Sequence, residues 1–261
     1  MVDTKAKVVV HEEVGTLYHH LVLEESRMAQ DLRPGQFIHL KVPALEPSAL
    51  RRPFSVFCAD AKLGRLEVLY KTVGRGTKAL NRVEVGDLLE VEGPLGKGFP
   101  EKCDGWALLV GGGYGVAPLY FLAKRLKESG HEKVILFVGG RTKADLLALD
   151  RFASLGVEVC AATEDGSMGT KGFAVVPLDE RIAQLRRSGE NFELFACGPD
   201  GLLKAISDRA VSLGAPGWIS TDRHMICGVG ACFACIQKTV NGNSRCCVDG
   251  PVFAAKDLIW Q

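Results

Sequence analysis

A chain of 261 residues with 32 lysines and arginines against 31 acidic residues carries a formal net charge of +1, which excludes the basic footprint of a nucleic-acid binder. It is long enough for two compact domains and a small appendage. The most apolar stretch, 106–123, is broken by four glycines and a proline, so no membrane span is expected. Nine cysteines, with no long apolar run from Met1 to Lys7, point to a reducing, cytoplasmic setting. Cys58, Cys103 and Cys160 read as ordinary buried thiols.

The first hundred residues predict short strands at 8–10, 18–23, 36–42, 54–58, 65–71 and 88–92, rich in β-branched and aromatic positions. Gly15, Pro34-Gly35, Ala61 to Gly64 and Gly86-Asp87 separate several of them as turns. Strands this short and this regularly spaced suit a small antiparallel barrel.

After Cys103 strand and helix alternate. An apolar strand at 107–110 runs into Gly111-Gly112-Gly113-Tyr114-Gly115-Val116-Ala117-Pro118 and an amphipathic helix at 119–128. A strand at 134–138, a helix at 144–154, a strand at 157–161, a helix near 178–188, a strand at 192–196 and a helix at 201–213 follow. This alternation implies a parallel, doubly wound sheet that binds its ligand at the carboxyl ends of the strands. The glycine turn lies between a strand and a helix N-terminus, whose free N–H groups and dipole favour a dinucleotide pyrophosphate. A tight connection without a ligand is the alternative. The spacing is not G-x-G-x-x-G, and the next strand runs into Gly139-Gly140-Arg141-Thr142-Lys143 with no acidic residue. Cys197-Gly198-Pro199 closes the strand at 192–196 on the same carboxyl edge.

Near the end, Cys227, Cys232, Cys235 and Cys247 form a C-x4-C-x2-C-x11-C run, the ligand spacing of a plant-type 2Fe-2S loop. Zinc ribbons favour two separated C-x2-C pairs, and disulfides do not suit a reducing compartment. Gly228 and Gly230 supply backbone freedom for a loop that turns N–H groups toward sulfur. Cys246 and Cys247 are adjacent and would point to opposite faces of an extended segment, so only one reaches the same cluster; spacing does not choose between them. No Cys-x-His pair suggests a Rieske site, and His11, His19, His20, His39 and His131 are expected on solvated surfaces.

Arg52-Pro53-Phe54-Ser55, then Tyr70-Lys71, Gly74-Arg75-Gly76-Thr77, Gly111 to Pro118 and Cys197-Gly198-Pro199 resemble the ordered motifs of the ferredoxin-NADP reductase superfamily. With the cysteine run and the ending Cys247-Val248-Asp249-Gly250-Pro251-Val252-Phe253, the whole chain resembles the electron-transfer subunits of class 1B dihydroorotate dehydrogenases. The resemblance implies an antiparallel β-barrel domain for FAD over 1–101, an α/β doubly wound domain for NAD over 102–218 and a small 2Fe-2S cluster domain over 219–261. It selects Cys247 over Cys246, because the family carries C-x-D-G-P-V-F after its fourth ligand.

The family's roles then fall on particular residues. Arg52 would neutralise the FAD phosphates and Ser55 bond the flavin ring edge, beside Pro53. Phe54 would lie against the isoalloxazine or serve as an ordinary core aromatic. Gly76 would let the chain approach the phosphates and Thr77 would cap a helix at 78–83, a plain surface turn being the alternative. Leu69, Tyr70 and Lys71 match the strand lining the adenosine side of the flavin. Gly111, Gly112, Gly113 and Gly115 would hold the nucleotide, and Cys197, Gly198 and Pro199 would sit where nicotinamide meets flavin, unless Cys197 is simply buried.

No residue is assigned acid–base catalysis. Electrons would run between NAD, FAD and the cluster, and onward to a partner, an FMN-containing catalytic subunit that oxidises dihydroorotate, with two copies of each subunit in the complex. Apolar Val229, Ala231 and Phe233 on the cluster loop are expected to face that partner. A reductase subunit serving a ferredoxin, hydrogenase or sulfite reductase system is the alternative, and a non-enzymatic redox sensor or scaffold is a third. NADH is expected over NADPH, although Arg141 and Lys143 could hold a 2′-phosphate.

Overall fold

Alternation of apolar and polar residues closes the N-terminal strands on themselves. In the computed structural model, which describes residues 1–42 and 50–260, this region holds β1 (Val2–Gly15), β2 (Tyr18–Glu24), α1 (Ser26–Asp31), β3 (Phe37–Leu40), β4 (Arg52–Asp60), β5 (Arg65–Lys71), α2 (Arg75–Leu80) and β6 (Leu88–Leu95). The strands form a closed antiparallel barrel in the order β1-β2-β5-β4-β3-β6. Ala6 and Val8 of β1, Leu21 and Leu23 of β2, Leu66 and Val68 of β5, and Leu89 and Val91 of β6 fill it, while the residues between them face outward. β1 is long because its first half pairs with β6 and its second with β2.

The next region contains β7 (Trp106–Gly112), α3 (Val116–Glu128), β8 (Val134–Gly140), α4 (Leu149–Ser154), β9 (Glu158–Thr163), β10 (Thr170–Lys171), α5 (Val175–Arg187), β11 (Phe192–Cys197), α6 (Asp200–Leu213) and β12 (Gly217–Ser220). The C-terminal segment adds β13 (Ile236–Thr239), β14 (Gly242–Arg245) and β15 (Val252–Ala254). The sheet order is β10-β9-β8-β7-β11-β12-β15, parallel throughout except for β15, which runs antiparallel to β12. β7 is apolar at every position because both its faces are covered. Ala107 and Leu109 pack with α3 on one side, and Leu108 and Val110 pack with α5 and α6 residues on the other.

Barrel and sheet share a core across α3. Phe57 of β4 stacks on Tyr120 of α3 with centroids 4.6 Å apart, and Arg151 of α4 lies over both rings while donating to Glu67 of β5 at 2.6 and 3.3 Å. The C-terminal segment is wedged against both units: β15 extends the sheet, and Lys97, two residues past β6, bridges to Pro251.

Three expectations need correction. The helix at 144–154 is only α4: Thr142 and Asp145 cap a separate 3-10 turn, and Ala148 takes a left-handed φ of 58° before the helix begins. Thr77 does not cap a helix at 78–83. It lies inside α2, where its Oγ1 accepts from the N–H groups of Val73 and Gly74 at 2.9 and 3.1 Å. Of the five histidines expected in solvent, His39 is wholly buried and the other four are half-buried; a β3 residue between barrel and cluster loop has no outward direction to take.

Candidate functional site

Two stretches distant in sequence meet at the mouth of the barrel. Register pairs Leu40 with Arg52, His39 with Pro53, Ile38 with Phe54 and Phe37 with Ser55. Arg52 donates from Nη1 to the carbonyl of Leu50 at 2.6 Å, and its side chain lies so close to Gly76 that a Cβ there would sit 2.7 Å from Nε. A planar, permanently charged fork thus lies beside the first turn of α2. Phe54 points into the barrel core, its ring 5.6 Å from that of Tyr70. Tyr70 donates to Asn81 at 2.9 Å and bonds His11 at 2.8 Å, and burial pushes its hydroxyl pKa up. Leu69 and Lys71 point to the opposite face of β5: Leu69 joins the core shared with the sheet, and Lys71 donates to the Tyr18 hydroxyl at 3.1 Å.

A second cleft opens at the carboxyl edge of the sheet. The glycine turn after β7 and the Cys197-Gly198-Pro199 turn after β11 touch directly. A Cβ on Gly115 would lie 2.5 Å from the carbonyl oxygen of Cys197, and one on Gly112 would lie 2.9 Å from Cδ of Pro199. Only glycine permits that approach. Gly113 takes φ 55°, and Gly111 packs on Val116. The Cys197 thiol is pushed up to about 12 by burial, against a hydrogen bond with Ser220. Tyr114 and Asp222, both missed from sequence, join this cleft to the start of the cysteine segment through a 3.3 Å bond donated by the tyrosine. The signal was present: an exposed tyrosine inside a turn otherwise made of glycine.

Of the four cysteines of the run, Cys227 and Cys232 lie toward solvent and Cys235 and Cys247 are buried. Cys232 lies close enough to Cys227, and Cys235 to Cys247, to act on the partner thiol's proton affinity. Burial pushes the Cys227 thiol up, but N–H groups of Cys232, Val229 and Ala231 outweigh it and hold the pKa at about 6. The Ala231 bond measures 3.3 Å. Such donors favour thiolate, the form that ligates iron. Cys246 faces the other way: it is fully buried, 3.4 Å from Thr221 Oγ1, and its N–H donates to the carbonyl of Cys235 at 2.9 Å. Arg245 braces the loop by bonding Asp249 and the Gly230 carbonyl. Among the described residues no three His, Cys, Asp or Glu side chains converge on one metal-ion position; a 2Fe-2S cluster asks only two thiolates of each iron. The donors present therefore fit the cluster.

Three stretches of the chain match known families. Residues 222–259 match the iron-sulfur cluster binding domain of dihydroorotate dehydrogenase B, 5–99 an oxidoreductase FAD-binding domain and 109–208 an oxidoreductase NAD-binding domain. The chain is 42% identical over 240 residues, 89% of its length and 90% of the relative's, to the dihydroorotate dehydrogenase B (NAD(+)) electron transfer subunit of Geobacillus kaustophilus. It is 39% identical to the same subunit of Bacillus cereus (strain Q1), covering 97% of this chain and 96% of that one. Among solved structures it superposes on a chain of the NADH-dependent reduced ferredoxin-NADP oxidoreductase with a TM-score of 0.83 at 29% identity, over 98% of this chain and 90% of that one. The ferredoxin reductase of carbazole 1,9a-dioxygenase shares the fold, with a TM-score of 0.68 at 24% identity over 82% of this chain and 67% of that one.

Proposed function

The chain belongs to the electron transfer subunits of dihydroorotate dehydrogenase B, and on that footing we propose that it carries electrons between NAD and the FMN of a catalytic subunit that oxidises dihydroorotate. Two copies of each subunit would form the complex, in the cytoplasm, as a step of pyrimidine biosynthesis. A nicotinamide exchanges a hydride, a flavin converts two-electron into one-electron steps, and a 2Fe-2S cluster passes one electron at a time.

The residues of this chain bind and orient those groups. Arg52 and Gly76-Thr77 in the first turn of α2 would hold the FAD phosphates, Pro53 and Ser55 would present the flavin edge, and Phe54 and Tyr70 would form the aromatic floor inside the barrel. Leu69 and Lys71 line the face of β5 toward the sheet. Gly111, Gly112, Gly113 and Gly115 receive the NAD pyrophosphate. Cys197, Gly198 and Pro199, closed against Gly115, exclude water where nicotinamide is held. Cys227, Cys232, Cys235 and Cys247 ligate the cluster. Ile226, Val229, Phe233 and Val248 leave an apolar patch exposed around it, which suits a partner surface.

The observation that carries this reading is the placement of the four thiols in a segment that touches both the barrel and the sheet. The chain alone should oxidise NADH with an artificial dye and leave dihydroorotate untouched. Mixed with an FMN-containing catalytic subunit, it should couple dihydroorotate oxidation to NAD reduction. Dihydroorotate oxidation by the chain alone, or a preference for NADPH in kcat/KM, would count against it; the latter would favour a reductase serving a ferredoxin.

A further inference from the structure

His39 sits on β3 between the strand of the flavin motif and the cluster loop. Pro53 is its register partner on β4. On its other side, a Cβ built on Gly228 would lie 2.6 Å from Cε1, 2.7 Å from Nδ1 and 3.3 Å from Nε2. The nitrogen-bearing edge of the ring therefore faces the residue next to Cys227. Gly228, at φ 70°, leaves the room that a side chain would fill. The imidazole is 0% exposed, and among the described residues neither nitrogen has a hydrogen-bond partner.

An imidazole carries at least one N–H donor at any pH, and leaving it unpaired in the interior costs about 1–3 kcal/mol. Buried polar groups are almost always paired. The group that the adjacent loop is built to hold presents sulfur acceptors, both cysteinyl and inorganic. Burial and the Arg51 guanidinium lower the His39 pKa to about 4, so the ring is neutral and offers one donor without a charge.

We infer that His39 is a positioning residue that donates an N–H···S hydrogen bond from the barrel to the cluster and thereby raises the potential at which the cluster takes its electron. The inference rests on the cluster reading above. A hydrogen bond to sulfur favours the reduced, more negative cluster, so its loss lowers the potential.

The test uses the full-length protein purified anaerobically with its cofactors. In a redox titration followed by electron paramagnetic resonance, His39→Leu should lower the cluster midpoint by about a tenfold change in the one-electron equilibrium, 59 mV. The FAD midpoints should stay in place, and His39→Gln, which keeps a donor, should recover part of the shift. An unmoved cluster midpoint, or a shift confined to FAD, overturns the inference. His224 lies three residues before Cys227 and would add its own nitrogen signal, so if His39→Leu loses the cluster, His224→Gln protein grown on isotopically labelled histidine decides. Pulsed resonance of its reduced cluster should show a histidine nitrogen coupling, and a cluster without that coupling overturns the role of His39 alone. Absence of any cluster from the unsubstituted protein overturns the cluster reading and this inference together.

Discussion

Two glycine-bearing loops, 111–115 after β7 and 227–235 before β13, are held in place by different means. In the first, the close contacts come from within the sheet domain: Gly111 meets Val116, Gly112 meets Pro199 and Gly115 meets the backbone of Cys197. In the second, Gly228 meets His39 of the barrel, Gly230 meets Val248 and Arg245, and Ile226, Val229 and Phe233 stand exposed. Phe233 also takes a left-handed φ of 57°, disfavoured by about 1–2 kcal/mol for a residue with a side chain. A loop closed by packing keeps its shape without its ligand. A loop with exposed apolar side chains and a strained residue depends on what its thiols bind, because metal-binding free energy there is folding free energy.

The largest effect expected from this contrast is loss of the cluster. Cys247→Ser should abolish iron and acid-labile sulfide and render 227–235 sensitive to protease, whereas Cys246→Ser, altering a thiol that faces Thr221, should keep both; iron analysis and electron paramagnetic resonance read the difference. Loss of the cluster signal in Cys246→Ser would sink the ligand assignment.

Gly115→Ala should act on the first loop and spare the second. Its Cβ would lie 2.5 Å from the Cys197 oxygen, an overpacking worth about 1–3 kcal/mol. A lowered Tm and a KM for NADH raised at least tenfold are expected, with iron content unchanged. A nucleotide affinity indifferent to the substitution would mean that the turn is only a connection.

Val229→Glu places a charge on the exposed patch. The Kd for the catalytic subunit should rise about tenfold, equivalent to ~1.4 kcal/mol, while dye reduction persists. Titration calorimetry or gel filtration of the mixture checks it.

The smallest effect concerns the latch that joins the barrel to the domain of the first loop. Burial raises the Glu67 carboxyl, but bonds from His20 and Arg151 outweigh it and hold the pKa at about 2, against an ordinary 4.5. Because the folded value is the lower one, the stabilisation is present in full above pH 4.5 and is lost as pH falls toward 2. Glu67→Gln should therefore cost about 1 kcal/mol at neutral pH, and the difference in Tm from the unsubstituted protein should shrink through that acid range, with iron content unaffected.

Much of this was legible in the chain. β-branched and aromatic content between turns marked β2 and β5 almost to the residue, and short apolar segments alternating with helices marked β7, β8 and β11, because burial is written into local composition. Cysteine spacing and the glycine turn were equally local. What escaped was short or partnered at a distance. β10, β12 and β15 are two to four residues long, too brief for a period to show. The helix expected at 144–154 was shortened by capping at Thr142 and Asp145, whose carboxylate also accepts from the Tyr18 hydroxyl of the barrel.

The sequence by itself determined which residues could ligate iron, where the backbone must turn tightly and which segments would be strand or helix, since each of these depends on neighbours within a few positions. Only the tertiary structure decided that Cys246 faces Thr221 while Cys247 faces Cys235, that Gly115 closes on Cys197, and that β15 leaves the cluster segment to complete the nucleotide sheet. It also decided that His39 is buried against Gly228. Each of these pairs residues from segments that meet only when barrel, sheet and C-terminal segment pack, and the direction of a side chain at such a seam is set by the surface arriving from the other side.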